Sequence, residues 1–201
     1  MLKIGLTGGI GSGKSIVAKI FSVLGIPIYS ADDASKRLMV EDEELKSAIT
    51  HHLGSAAYTD GILNRHFLAN LVFNDSEKLS LLNSLGHPAT IADATGWMQK
   101  QNAPYIIKEA ALIFESGSNK MLDYVIGVKS PRNLRRQRAM ERDHLSSEEV
   151  DARMNKQMDE ESKLQLCDYV IVNDEQEMLI PQVLILHEKF LKFSVSKEKE
   201  I

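Results

Sequence analysis

Leu2-Lys-Ile-Gly-Leu-Thr-Gly-Gly-Ile-Gly-Ser-Gly-Lys-Ser15 contains the strongest structural signal in this 201-residue chain. Its apolar start is as long as one buried strand, and the spacing of Gly8, Gly13, Lys14 and Ser15 matches the phosphate-binding loop pattern. In that pattern, glycines let backbone N–H groups converge on phosphate oxygens, and the following helix directs its positive end to the same place. The stretch therefore predicts a site for a nucleoside triphosphate.

Each part of the loop has an expected role. The lysine contacts the β- and γ-phosphates, and the serine hydroxyl of Ser15 is the expected protein contact of Mg²⁺. The six histidines show no metal-ligand spacing, so Mg²⁺ would arrive with ATP. The residues that we expect to hold the nucleotide are Gly8, Gly9, Gly11, Ser12, Gly13, Lys14, Ser15 and Ile16.

Four further apolar runs predict strands, at residues 26–29, 105–113, 124–128 and 169–172. Several are apolar on both faces and helical patterns separate them, which is typical of a parallel sheet covered by helices. We therefore expect an α/β fold of three layers, a P-loop NTPase sandwich with a parallel five-stranded sheet. The single cysteine excludes an internal disulfide.

Two segments interrupt this order. Residues 31–103 contain no convincing strand and predict helices at 63–73 and 79–85, so this helical insertion is large enough to hold a second substrate. The alternative is that it only covers the sheet. Residues 129–160 form the second interruption, a helical lid, which leaves 1–30, 104–128 and 161–201 as the nucleotide-binding core. The charged end, residues 194–201, is expected to fray.

The predicted lid is basic, although the chain as a whole has a net charge of −4. Ser130 and Pro131 predict a helix start, as the N-cap and the first helical position. Arg135, Arg138 and Arg142 then share one helix face, which suggests a surface that clamps a transferring phosphoryl group. The alternative is a solvated basic face.

Carboxylates follow two of the predicted strands. Asp32 and Asp33 come after the second strand, where Ser30 and Asp33 match a capping box and leave Asp32 free to accept a proton. Glu109 and Glu115 lie on or after the third, and either could assist Mg²⁺. Their spacing does not rank them.

The order of motifs along nearly the whole chain resembles the dephospho-coenzyme A kinase family. The opening from Gly5 to Ser15 is similar almost letter for letter. The later motifs that carry the resemblance are Ser30-Ala-Asp32, Leu63-Asn-Arg65, Phe73, His87-Pro88, Ala111-Leu-Ile-Phe-Glu115, Arg138 to Asp143, Arg153 to Gln157 and Cys167-Asp-Tyr-Val-Ile-Val-Asn173. This sequence differs from the family pattern at four positions. It has Ile16 where the family has Thr, Ser30 where it has Asp, Ala111 where it has Pro, and Cys167 where it has Ala.

The resemblance implies transfer of the γ-phosphoryl group of ATP, with Mg²⁺, to the ribose 3′-hydroxyl of dephospho-coenzyme A. It implies that Asp32 accepts the hydroxyl proton and that Lys14, Arg138 and Arg142 stabilise the transferring group. Arg65 and His87 become candidates for binding the acceptor.

Two other functions are compatible with the phosphate loop. One is another small-molecule kinase of the same fold, of shikimate or nucleoside-monophosphate type. The long helical insertion is evidence against this alternative. The other is a GTP-dependent switch, which would need Asn-Lys-x-Asp. The stretches at Asn119 and Asn155 both place the Asp one residue late. With no leader pattern and a negative net charge, we expect a cytoplasmic protein that binds neither nucleic acid nor membrane, as a monomer or weak homo-oligomer.

Overall fold

The computed structural model describes residues 1–73 and 75–198. The chain divides into two compact units, the first made of Met1–Ser30 with Gln101–Ile201 and the second of Ala31–Lys100. The strands are β1 (Leu2–Thr7), β2 (Ile28–Ser30), β3 (Tyr58–Thr59), β4 (Ile62–Leu63), β5 (Tyr105–Glu109), β6 (Tyr124–Lys129) and β7 (Tyr169–Val172). The helices are α1 (Lys14–Val23), α2 (Ala31–Glu41), α3 (Glu43–Leu53), α4 (Arg65–Phe73), α5 (Ser76–Gln99), α6 (Arg132–Asp143), α7 (Ser147–Met154), α8 (Glu160–Gln165) and α9 (Leu179–Glu198).

The first unit is built on a five-stranded sheet in the order β2-β5-β1-β6-β7, and all of its strand pairs are parallel. Apolar side chains of β1, β5, β6 and β7 pack on one face against α1 and α9, around the fully buried Phe21 and Phe190. On the other face, Leu164 and Cys167 from the α8 region approach Gly127 of β6. The expected α/β fold with a parallel five-stranded sheet is confirmed.

The strand predicted at residues 105–113 is too long. Strand β5 ends at Glu109, and turns follow. Ile113 nevertheless remains fully buried, because it leaves the strand and packs over Gly5 on the face of the sheet. Its apolar character therefore reflects packing on the sheet and not pairing within it.

The second unit packs its helices around a core of its own that includes Leu38, Leu45 and Ile49. The prediction of no strand is wrong, because β3 and β4 form a short antiparallel hairpin. Its turn is Asp60-Gly61, with positive φ at both residues, which is the conformation that this dipeptide favours. The helix predicted at 79–85 extends to the 24 residues of α5, with Pro88 in its interior.

Three other helix predictions need correction. Helix α6 starts one residue later than expected, with Pro131 at the N-cap position and no side-chain cap, so Ser130 is not the cap. Helix α7 ends at Met154 and α8 begins only at Glu160, so the helical lid predicted over residues 129–160 is interrupted by a turn before its end. Helix α9 continues to Glu198, so the prediction of a frayed end is wrong for residues 194–198. Residues 199–201 lie outside the described part of the chain. Among the described helices, none is long and apolar enough to cross a membrane.

Candidate functional site

The phosphate loop connects β1 to α1. Gly13, at the N-cap of α1, has φ 91, a left-handed conformation that glycine adopts without strain. Lys14 folds back over the loop, and its Nζ donates to the carbonyls of Gly8 at 2.9 Å and Gly9 at 3.4 Å. The lysine charge and the amino end of α1 thus meet at one place, which favours the binding of phosphate.

Glu109 lies at the carboxyl end of β5, beside the loop. It is paired in register with Leu6 of β1, and its Oε1 accepts a hydrogen bond of 2.8 Å from Oγ of Ser15. A hydroxyl and a carboxylate side by side are oxygen ligands of the kind that Mg²⁺ prefers, directly or through its waters. These two residues therefore fit the metal that the resemblance implies.

Glu115 is engaged differently. Its Oε1 accepts from Nζ of the buried Lys163 at 2.9 Å and from the Met158 amide at 3.1 Å. The same Nζ donates to the carbonyl of Ala111 at 2.9 Å. Burial by itself would raise the pKa of Glu115, but the bonds from Lys163 and the backbone outweigh it and lower the pKa. Between the two acids that spacing could not rank, Glu109 is the one in contact with the loop.

Two side chains from late in the chain hold the loop backbone. Oε1 of Gln157 accepts from the Ile10 amide at 3.0 Å, and Nδ2 of Asn173 donates to the Ser12 carbonyl at 2.7 Å. Both residues stand in motifs that carry the resemblance, and that was their only signal in the sequence. They fix the loop in space before any phosphate is bound.

The three arginines of the basic face lie in different surroundings. Arg135 is buried, with its side chain only 7% exposed, and pairs with Glu160 at 2.9 Å. Arg138 is half-buried and contacts Glu175 at 3.0 Å, Oγ of Ser130 and the Asn173 carbonyl.

Arg142 lies at the exposed end of α6 and forms two bonds to its neighbour Asp143, which raise the pKa of Arg142. Helical spacing correctly put the three arginines on one face, but it gave no sign of their different depths.

The remaining predicted residues belong to the second unit. Asp32 is exposed at the second position of α2, two residues after β2 ends, and Asp33 follows it in contact with Lys36. Arg65 is exposed at the first position of α4, and His87 is half-buried within α5. Their roles at the acceptor stay predictions.

A cavity of about 570 Å³ lies beside the loop in the first unit. Gly9 forms part of its wall, together with three cationic side chains, Arg132, Arg135 and Lys163, and acids of α8. Across the residues that the structure describes, no three or more His, Cys, Asp or Glu side chains form a cluster that could hold a metal ion.

The half-buried Cys167 has no part in this site. Its Sγ donates to the carbonyl of Lys163, and burial raises the pKa of the thiol to about 11. These surroundings keep the thiol unreactive, since the reactive form is the thiolate.

Comparison with known proteins finds relatives that match most of the chain. The family model described as dephospho-CoA kinase matches residues 2–178. A dephospho-CoA kinase of Bacteroides fragilis is 36% identical over 186 residues, which are 92% of this chain and 91% of the relative. Among solved structures, TT1252 from Thermus thermophilus is 34% identical with a TM-score of 0.80, over 93% of this chain and 97% of that one. Dephospho-CoA kinase from Campylobacter jejuni is 29% identical with a TM-score of 0.67, over 94% of this chain and 97% of that one. This chain belongs to the dephospho-CoA kinase family.

Proposed function

We propose that the site on the phosphate loop carries out the reaction for which the family is named. The chain transfers the γ-phosphoryl group of ATP to the ribose 3′-hydroxyl of dephospho-CoA and so forms coenzyme A. The observation that carries the proposal is the meeting of Lys14, Ser15 and Glu109 at the carboxyl ends of β1 and β5. Positioning and charge neutralisation are what phosphoryl transfer requires of a protein.

The loop and its partners hold the phosphoryl donor. The amides of the loop and the amino end of α1 bind phosphate oxygens, and Lys14 turns from the loop carbonyls to the β- and γ-phosphates. Mg²⁺ that arrives with ATP supplies charge neutralisation, and Ser15 and Glu109 are the residues that would hold it or its waters. The donor is thereby fixed before transfer begins.

The roles that we propose for residues at the acceptor rest on their positions in the chain and on the resemblance to the family. Asp32 follows the carboxyl end of β2 and is exposed, which suits a carboxylate that takes the proton of the attacking hydroxyl. Arg65 and His87, in the second unit, would bind dephospho-CoA. Residues 129–160 would act as a lid, with Arg138 and Arg142 closing over the phosphates and excluding water.

An ADP-release assay across acceptors tests this function. The purified chain is given ATP, Mg²⁺ and, in separate reactions, dephospho-CoA, shikimate, gluconate or a nucleoside monophosphate. We expect turnover with dephospho-CoA only, and mass spectrometry of the product should show one added phosphoryl group. Turnover with another acceptor and none with dephospho-CoA would overturn the proposal in favour of the shikimate or nucleoside-monophosphate type.

The magnesium assignment has a binding test of its own. In Glu109→Gln the carboxylate is lost while the shape is kept, so calorimetric titration of ATP should become less dependent on Mg²⁺ concentration than in the parent chain. Glu115→Gln is the matched control, since its carboxylate faces Lys163. An unchanged Mg²⁺ dependence in Glu109→Gln would contradict the role of Glu109.

We also propose that the enzyme works in the cytoplasm as a monomer or weak homo-oligomer. Its use of ATP and its metabolic kinase family support the location. Sedimentation of the purified chain over a range of concentrations tests the oligomeric state.

A further inference from the structure

The first turn of α6 lies directly against the phosphate loop. A methyl group added to Gly11 would overlap the backbone carbonyl of Arg135, and one added to Gly9 would overlap Nη1 of the same arginine. The two glycines differ in backbone conformation, because Gly11 has φ 76 and Gly9 lies outside the left-handed region. At Gly9 the Arg135 side chain, and not the backbone, is therefore what excludes a larger residue.

Two groups fix the guanidinium of Arg135 in this place. Its Nε donates to the carbonyl of Ser130 at 3.1 Å, and its Nη2 pairs with Oε2 of Glu160 at 2.9 Å. Both side chains are largely withdrawn from solvent, with 7% of Arg135 and 18% of Glu160 exposed. A planar guanidinium bonded through two of its nitrogens is held in orientation as well as in position.

The ion pair between Arg135 and Glu160 buries charged groups, and it leaves one carboxylate oxygen without a hydrogen bond among the described residues. Within the described chain, Oε1 of Glu160 is buried without a hydrogen-bond partner, although it lies close to Gly9. Burial raises the pKa of Glu160 and lowers the pKa of Arg135. Apolar residues of similar volume often stabilise a fold as well as a buried ion pair does. Stability alone is thus a poor explanation for placing this pair on the loop.

We propose that Glu160 and Arg135 are positioning residues of the kinase. Glu160 holds the Arg135 guanidinium over Gly9, and the guanidinium keeps the loop in the conformation that receives the phosphates of ATP. This inference rests on the proposed function of the same site. If the loop spends only a fraction of its time in the binding conformation, the apparent affinity for ATP falls by that fraction.

The first experiment separates the two substrates. In Arg135→Ala, in Glu160→Gln and in the double variant, we expect the KM for ATP to rise by about tenfold, with the KM for dephospho-CoA within about twofold of the parent. The double variant should be no worse than either single one, because the two side chains act as a unit. Arg135→Lys should recover part of the loss, since the lysine can still pair with Glu160.

The controls are neighbours of the same charge. Arg136→Ala removes an exposed arginine that contacts Asp151, and Glu141→Gln removes an exposed acid of α6 that contacts Gln137. Neither should change the KM for ATP. A purely structural pair would lower melting temperature and active fraction, and would leave the KM for ATP of the folded enzyme unchanged.

The second experiment uses the two glycines. Gly9→Ala should weaken ATP binding in the parent chain, and Arg135→Ala in the same molecule should relieve that additional loss, because the obstructing side chain is gone. Gly11→Ala should not be relieved, since it meets the backbone of Arg135 and has a positive φ. Calorimetric titration with ATP and Mg²⁺, without acceptor, provides the readout.

The outcomes decide both proposals separately. An unchanged KM for ATP in folded Glu160→Gln, or a Gly9→Ala defect that persists in the Arg135→Ala background, would overturn the positioning role. If Arg135→Ala does not fold, Glu160→Gln and Arg135→Lys carry the test alone. If the parent chain fails to phosphorylate dephospho-CoA, the proposed function is lost, but the titrations with ATP still decide what the pair does.

Discussion

Charged side chains are held in opposite ways in two regions of the molecule. Around the phosphate loop, Arg135 and Lys163 are buried and each is bonded to a backbone carbonyl and to an acid from elsewhere in the chain. At the start of α2 and the end of α6, Asp33 and Arg142 are exposed and contact acids or bases close in sequence. The first arrangement is fixed by the fold, and the second is open to rearrangement.

This difference suggests that the buried and the exposed charges have different functions. Buried, multiply bonded charges can set the geometry of the loop before a substrate binds, whereas exposed charges can move to a substrate at little cost. Substitutions in the buried region should therefore alter stability or ATP binding, and substitutions of exposed catalytic groups should alter turnover alone.

The exposed region should contain the largest kinetic effect. Asp32→Asn is expected to lower kcat by roughly 10² to 10⁴, the usual range of general-base catalysis, with little change in melting temperature. Asp33→Asn is the matched control, and should cost about 0.5–1 kcal/mol of stability through a weaker helix start while kcat stays within a few-fold. Steady-state assays and melting curves on both variants provide the measurement.

The outcome can contradict the assignment in two ways. If Asp33→Asn is the inactive variant, the motif has been aligned one residue out of place. If neither variant loses activity, no carboxylate after β2 acts as the base, and Glu109 becomes the better candidate.

The buried region should contain the largest effect on stability. Lys163→Met leaves Glu115 without its ionic partner, and breaking such a pair commonly costs about 3 kcal/mol of unfolding free energy. Because the fold lowers the pKa of Glu115, the stability that it contributes is present near neutral pH and is lost as the pH falls through the acid range.

Denaturant unfolding at neutral and acidic pH measures both effects. Adding Glu115→Gln to Lys163→Met should restore part of the loss, since no charge is then left unpaired. Equal stability of the parent and Lys163→Met would show that this buried lysine does not hold the fold together.

Lys14 shares features with both groups of charged residues. It is bonded to loop carbonyls, as the buried charges are, but it must move to the phosphates when ATP binds. Lys14→Ala should lower turnover by about 10², on the order of 3 kcal/mol of transition-state stabilisation, and should leave the fold intact. Lys19→Ala, an exposed lysine of the same helix, is the control. Near-parental turnover in Lys14→Ala would show that the loop is not catalytic here.

The smallest expected effect separates two arginines of α6. Arg138→Ala should lower turnover by about tenfold and Arg142→Ala by only a few-fold. Arg138 is already held near the loop region by three partners, whereas within the described residues Arg142 is bonded to its neighbour Asp143. Neither should unfold the protein. If both variants keep parental kinetics, the interpretation of a solvated basic face is correct. Values of KM for both substrates distinguish clamping of the transition state from binding of ATP.

Local patterns were sufficient for much of this description. The strand–loop–helix around Lys14 and Ser15 could be recognised because its chemistry depends on residues close together in the chain. The parallel sheet followed from apolar runs between helical patterns, and the family followed from the order of motifs. The Asp60-Gly61 hairpin also has a local signal, since this dipeptide favours a tight turn between two short strands.

Contacts between residues far apart in the chain could not be predicted from local patterns. Spacing on a helix predicts which residues share a face, but the depth of Arg135 depends on α8 and on two loop glycines that approach it in space. The choice between Glu109 and Glu115 likewise depended on Ser15 and Lys163, 94 and about 50 residues away along the chain. The fold class, the family and the phosphate loop could be predicted from the sequence, because local patterns and their order along the chain are enough to identify them. Which charges are buried, and what each one holds, was decided only by packing, because burial and pairing are properties of neighbours in space.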